Sequence, residues 1–302
     1  MKDALSWDNI IYIADLLLSS GERHISLLGG EPLIYPKVAD VIVYLNKRGL
    51  DVTVFTSGIM PDEKFQIFVQ KLLSYNDLHV SFVCNVNEPQ FNKKSDLEKV
   101  KRFFEFFPNR ISLSFNIYRL EFDMNFLIDY GLNRHIRLGL AHPIPGEKNL
   151  YIKPDKFCEV KDKLMRFFAE FEKYRIVPGF DCGFPMCMFS DEDLGKVLKY
   201  SRGQVSFQCG PAIDIGTDLS VWSCFPLSGF HKKSLFEFSS YQEIAMYYGR
   251  KIEEVRKEIG GIYESCDTCL YREENICSGG CVAHILNGLI EEGNIRHEDN
   301  NI

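Results

Sequence analysis

HISLLGGEPLIYPKVADVIVYLNKRGLDVTVFTSG (24–58) repeats one structural phrase twice. A short apolar strand runs into Gly29-Gly30-Glu31-Pro32. A helix over 35–49 closes on glycine, and a second strand over 50–58 ends at Thr56-Ser57-Gly58. Strands that are apolar on both faces belong between helices. The phrase continues on either side. SWDNIIYIADLLLSSG (6–21) has an N-cap serine, apolar residues at helical spacing and a closing glycine. Downstream the pattern predicts a helix over 62–75, a strand over 78–87, a helix over 95–107 and a strand over 110–118. A short helix near 122–130, a strand over 135–143 and a long helix over 153–174 follow. Strand–helix alternation of this kind means stacked βαβ units and a parallel sheet. The series starts with a helix, where a parallel array normally starts with a strand, so a first strand is missing from the pattern.

The chain has 302 residues, of which 45% are hydrophobic, enough for a sizeable core. Phenylalanine is abundant, at 24 residues, and RFFEFF (102–107) and RFFAEFEKY (166–174) predict helix faces that pack on a sheet. The net charge is −7 with a pI near 5.6, and no dense basic stripe occurs. That argues against nucleic acid as a partner. No apolar run reaches the length of a membrane span, and the N-terminus has no signal-peptide pattern, so the reading is cytoplasmic. In that compartment ten cysteines predict ligands, not disulfides. Only Cys84 lies in the first 150 residues, whereas eight lie between Cys182 and Cys281. This shift divides the chain into an α/β part, 1–180, and a small cysteine-rich C-terminal domain, 181–302. Beyond residue 180 the sequence predicts short helices, long loops and little apolar core, with DLSVWSCF (218–225) as one arm of a hairpin.

Ligands of parallel α/β folds bind at the carboxyl ends of the strands. Gly29 and Gly30 sit at such an end and allow close approach of a ligand to the backbone. Glu31 then points into the mouth of the sheet, where a buried carboxylate needs a cationic partner such as an ammonium group. Pro32 sets the exit direction. A tight turn with a solvated glutamate is the plainer alternative.

LLGGEPLIYP, with the helix before it and VADVIVYLNKRGLDVTVFTSG after it, resembles the core of a radical S-adenosylmethionine (radical SAM) enzyme over roughly residues 8–145. The resemblance implies a partial (β/α) barrel of parallel strands, with Gly29, Gly30, Glu31 and Pro32 at the methionine amino group of S-adenosylmethionine. Thr56, Ser57 and Gly58 stand where the family has a Thr-Asn-Gly-like triplet. Asn85 and Asn116, on the next two strands, take the places of further cofactor-contacting residues. One departure is serious. The family's Cys-x3-Cys-x2-Cys motif, which holds the catalytic [4Fe–4S] cluster, does not precede Gly29. Two accounts fit: a shortened chain that lacks one strand and one loop, or a degenerate relative that keeps the scaffold alone. Loss of an interior strand together with the motif favours the first.

Cys266-x2-Cys269-x7-Cys277-x3-Cys281 places four thiols within sixteen residues, a pattern suited to zinc or to an iron–sulfur cluster. With Cys182, Cys187, Cys209 and Cys224 there are eight thiols, enough for two four-ligand sites. This half resembles the SPASM region of radical SAM enzymes, which carries auxiliary [4Fe–4S] clusters. The third spacing is seven where the family has five, Leu219 replaces a usual glycine, and the final cysteine is absent, with His297 at about its distance. The resemblance implies one cluster on Cys209, Cys224, Cys281 and either Cys187 or Cys182. It implies another on Cys266, Cys269 and Cys277 with its fourth ligand open, and zinc remains the lesser alternative. Cys84 and Cys158 read as small core residues, and His284 as structural; His24, His135 and His142 receive no role. A thioredoxin-like role for the CDTC pair is disfavoured by the cysteines around it.

The resulting expectation is a radical SAM/SPASM iron–sulfur protein that binds S-adenosylmethionine and one or two auxiliary clusters. In its complete form it is an oxidoreductase or maturase of peptides or proteins, served by an electron donor. The alternative is a catalytically degenerate scaffold that holds iron–sulfur or zinc and binds a peptide or partner protein. Whether this chain turns over is left open by the absent motif.

Overall fold

A computed structural model describes residues 4–75, 77–131, 134–210 and 212–292. The chain divides into two compact units, Met1–Phe115 and Asn116–Ile302. In the first, helices and strands alternate as α1 (Trp7–Ser19), β1 (His24–Leu27), α2 (Val38–Lys47), β2 (Asp51–Thr56), α3 (Asp62–Leu73), β3 (Val80–Asn85) and α4 (Lys94–Phe106). β4 (Ile111–Ile117) straddles the division. α1 begins where expected, because the Ser6 side chain accepts from the Asn9 amide at 3.1 Å. The strands pair in parallel, with Leu27 opposite Val54, Thr56 opposite Cys84 and Asn85 opposite Ser114. Their carboxyl ends therefore lie at one edge of the sheet.

The core of this unit is aromatic. Phe82 of β3 meets Phe103 and Phe107 at ring-centroid distances of 5.0 Å each, and Phe68 of α3 lies edge-on to Phe82. Contacts of this kind add roughly 0.5–1.5 kcal/mol per pair to the area they bury. The expectation for RFFEFF holds for Phe103, Phe104 and Phe107, which are buried; Phe106 is exposed, with its ring edge-on to Phe65.

The second unit contains α5 (Phe126–Gly131), β5 (His135–Leu140), α6 (Phe157–Lys173) and β6 (Val177–Phe180), with β6 parallel to β5. The six-stranded sheet has the order β1-β2-β3-β4-β5-β6. Strands in consecutive order, all wound one way, make a segment of a (β/α) barrel, not a doubly wound sheet with a switch point. Phe168 and Phe171 of α6 are fully buried, as the helix-face reading of RFFAEFEKY requires.

Four expectations need correction. The series has a sixth strand, β6, whose VPGF sequence hides it: Pro and Gly are poor strand residues, but β6 pairs along one side only. Beyond residue 180 the helices are not all short. α7 (Asp191–Tyr200) is followed by α8 (Tyr241–Ile259), 19 residues long and capped by Ser240. This region also has a core: Leu227, Phe230, Val255, Cys281, Val282, Ala283 and Leu286 pack together. Finally, Cys84 is buried as expected, but Cys158 is exposed on α6. The hairpin reading of DLSVWSCF holds. β8 (Ser220–Ser223) pairs antiparallel with β7 (Ile213–Ile215) and β9 (Lys233–Ser234). Tyr248 of α8 fixes this small sheet by donating to the carbonyls of Val221 at 2.6 Å and His231 at 3.0 Å.

Candidate functional site

Glu31 follows β1 and caps the 3-10 turn Pro32–Ile34, with Pro32 at the first helical position. One carboxylate oxygen, Oε1, accepts from the Leu33 amide at 3.0 Å and from Thr56 Oγ1 at 2.5 Å. The other, Oε2, accepts from the Ser57 amide at 2.7 Å and from Ser57 Oγ at 2.5 Å. The two segments singled out in the sequence, 29–32 and 56–58, are thus bound together at the strand ends. A carboxylate has about four acceptor positions, and this chain fills them with neutral donors. The expected cationic partner is therefore not required to satisfy Glu31.

Gly29 has φ of +138°, and a Cβ at either Gly29 or Gly30 would meet nothing within 4 Å. The backbone here faces open space, beside Leu28, which is 52% exposed. Gly58 is different: its φ is +74°, and a Cβ there would touch the Phe103 ring and Cys84. Asn85 closes β3 in an exposed position at the same strand-end edge. Asn116 belongs to the second unit. Its side chain occupies the space left by Gly139 on β5, where a Cβ would lie 2.5 Å from Asn116 Oδ1, next to Asp181, which pairs with Arg137 at 2.7 Å. The fit to an amino-acid cofactor is mixed but workable. Open glycine backbone and a fixed carboxylate suit an ammonium group, which would share Oε2 if the Ser57 hydroxyl rotates away.

The cysteines of the second unit form two groups. The Cys224 thiol has the thiols of Cys281, Cys209 and Cys182 as its cysteine neighbours. The Cys187 thiol has those of Cys266, Cys277 and Cys269. Burial pushes the Cys224 thiol far up and the Cys281 thiol up to about 11. It raises the Cys209 thiol as well, and that of Cys187 to about 11. Desolvated thiols give up their protons only to a compensating positive centre, and metal binding supplies one. Among the described residues no three His, Cys, Asp or Glu side chains converge tightly enough to hold a single ion. A tetrahedral zinc, at about 2.3 Å per sulfur, requires that convergence. A four-iron cluster takes one thiolate at each iron and spreads them wider.

Backbone geometry aims these thiols. Cys224 has φ of +48°, a conformation costly for a residue with a Cβ and typical of ligand-holding positions. Leu219, where the SPASM resemblance has glycine, has φ of +62° and ends the tight loop between β7 and β8, its amide bonded to the Gly216 carbonyl at 3.0 Å. The backbone keeps the glycine-like shape without the glycine. Cys266 lies against glycine: a Cβ on Gly261 would sit 2.5 Å from its sulfur, and one on Gly279 3.7 Å away. Arg256, in the last turn of α8, holds the carbonyls of Ser278 and Gly280 and hydrogen-bonds the Cys209 thiol. Arg272 joins the Cys266 carbonyl at 3.2 Å to the Arg256 carbonyl at 2.7 Å.

Sequence reasoning missed Arg256, the glycine pairs 260–261 and 279–280, and His142. The glycine pairs were visible as IGGI, shortly before Cys266, and as SGGC, which ends on Cys281. His142 lies 3.3 Å from His284 between ring nitrogens and 3.4 Å from the Cys182 carbonyl. Burial, with His142 adding, pushes His284 down to about 3, so this pair is neutral on the His284 side. That agrees with a structural reading of His284, which also meets Tyr151 and Phe157 edge-on. His297 lies outside the described residues, and no described helix is long and apolar enough to cross a membrane.

The consecutive parallel sheet is a partial-barrel fold that solved structures share. Among solved structures, the chain resembles SuiB of Streptococcus suis. The S-adenosylmethionine-bound form matches with a TM-score of 0.62 at 14% identity, over 93% of this chain and 67% of that one. SuiB itself matches at 0.62 and 15%, over 97% and 68%. The complex with precursor peptide SuiA matches at 0.59 and 12%, over 93% and 65%. This chain thus spans about two thirds of SuiB, and at such identities the likeness is one of fold. No protein-family model and no curated protein sequence matches the chain.

Proposed function

We propose that this chain carries the S-adenosylmethionine-binding scaffold and the auxiliary iron–sulfur sites of a radical SAM/SPASM protein that acts on a peptide. The observation that carries this reading is the three-bond tie between Glu31 and Thr56-Ser57. It joins the two resemblance-bearing segments at the sheet edge where such folds bind ligands. SuiB, similar in fold, was solved with S-adenosylmethionine and with a precursor peptide, which supports the same cofactor and a peptide partner here. Gly29 and Gly30 admit the cofactor's amino-acid end, Glu31 orients it, and Ser57 yields its hydroxyl bond to the ammonium group. The cofactor would supply hydrogen-abstracting chemistry only beside a catalytic cluster, whose cysteine motif does not precede Gly29 in this sequence. The cysteine-rich region, 181–302, serves as the auxiliary part, fed by an electron donor.

A second reading has its own support: before residue 150 the only cysteine is Cys84, and it is buried in β3. A scaffold that binds cofactor and peptide without turnover would look the same. The test is anaerobic reconstitution of the full chain with iron and sulfide, followed by equilibrium dialysis with S-adenosylmethionine. Glu31→Gln is expected to weaken binding at least ~10-fold, about 1.4 kcal/mol; unchanged binding overturns the cofactor reading. Deoxyadenosine formed under strong reductant assigns the chain as an enzyme. Binding without it assigns cofactor binding, and no turnover, to the residues tested.

A further inference from the structure

The two groups of thiols differ in how they are completed. Cys182 and Cys187 are five residues apart on one loop, and spacing cannot say which serves which site. The structure separates them. Cys182 is among the neighbours of Cys224, while Cys187 sits with Cys266, Cys277 and Cys269. One contact between the loops supports this independently. The Met186 amide, one residue before Cys187, donates to Cys277 Sγ at 3.5 Å, and the Gly279 amide donates to the same sulfur at 3.4 Å. Two N–H groups aimed at one sulfur are the arrangement that stabilises a thiolate ligand. The 3-10 turn Met186–Met188 then presents Cys187 beside that sulfur. Cys266 is held on the other side by the Gly261–Gly279 backbone contact.

We infer that Cys187 is the fourth ligand of the second site, so that Cys187, Cys266, Cys269 and Cys277 hold one cluster and Cys182, Cys209, Cys224 and Cys281 the other. The inference rests on the cluster reading above and refines it. On loading, each of the four thiols releases a proton to solvent and binds one iron of a cluster built from supplied iron and sulfide. All four corners are then held by cysteine, which makes the second site an electron relay and not a place where substrate binds iron. His297 is not needed, and neither is Cys158, which lies near Tyr263 at the edge of the group.

The experiment uses the full chain, reconstituted anaerobically with equal parts of ferric and ferrous iron and with sulfide, with iron, acid-labile sulfide and the electron paramagnetic resonance spectrum of the reduced protein as readouts. Wild type is expected to hold about eight iron and eight sulfide, as two four-iron clusters do. Cys187→Ala should lose or alter one spectral component, Cys182→Ala the other, while Cys158→Ala and His297→Ala change neither. Far-ultraviolet circular dichroism confirms folding, and Cys187→Ser, which keeps the side-chain size, provides a second variant. An unchanged spectrum and full iron content in both Cys187 variants overturns the inference while leaving the cluster reading intact. So does loss of the same component in the Cys182 and Cys187 variants. Wild type that takes up no sulfide overturns the cluster reading and this inference with it.

Discussion

The Glu31 region and the cysteine region solve opposite problems. Around Glu31, regular strands deliver the groups, and every acceptor position of the carboxylate is filled by the chain itself. Around the cysteines, loops deliver the groups, glycine contacts and two arginines hold the loops, and burial leaves thiols such as Cys224 and Cys281 desolvated. The first region keeps its shape through its own hydrogen bonds. The second keeps its thiols near one another and out of water. A site of the first kind fails by losing a hydrogen bond, and a site of the second kind by misplacing a sulfur.

The sharpest break of that contrast is Gly261→Ala. The new Cβ would stand 2.5 Å from Cys266 Sγ, so the thiol must move. The expected result is loss of about half of the reconstituted iron and sulfide, as one of two clusters goes, read by colorimetric analysis. Retention of both would mean that the loop has slack and the contrast is weaker than drawn. Next is Glu31→Gln, read by urea unfolding. The new amide nitrogen cannot accept a hydrogen bond, so at least one donor pair is orphaned, at about 1–3 kcal/mol. Iron content should not change. An effect no larger than that of Glu31→Gln is expected of Leu219→Gly. Relief of the left-handed backbone returns about 1–2 kcal/mol, while removal of a side chain only 5% exposed costs about 2–5 kcal/mol. Net destabilisation of about 1–3 kcal/mol is expected by the same measurement.

The barrel-type series was readable because helix and strand periods alternate cleanly from Ser6 to Tyr174. β6 escaped because four residues containing Pro and Gly carry no alternation, and α8 because its polar sequence surrounds only Ile244, Tyr248 and Val255 as buried residues. At the site, residue types were legible and partnerships were not. That Glu31 and Thr56-Ser57 belong to one place followed from strand ends, but its saturation by four donors depends on rotamers. The eight cysteines were visible, whereas their division is set by where loops fold back. Five residues of separation between Cys182 and Cys187 can reach either group. Asn116 illustrates the remaining gap, since its placement depends on the missing side chain of Gly139 across the strand pair.

Leu219 has a consequence for recognition itself. The turn before β8 is specified by a torsion angle, and glycine is only the cheapest way to spell it. A pattern that reads letters scores leucine there as a mismatch, although φ of +62° keeps the bend. Comparison of backbones reads the angle and not the letter. In such a molecule, likeness is stored in geometry after it has faded from the alphabet.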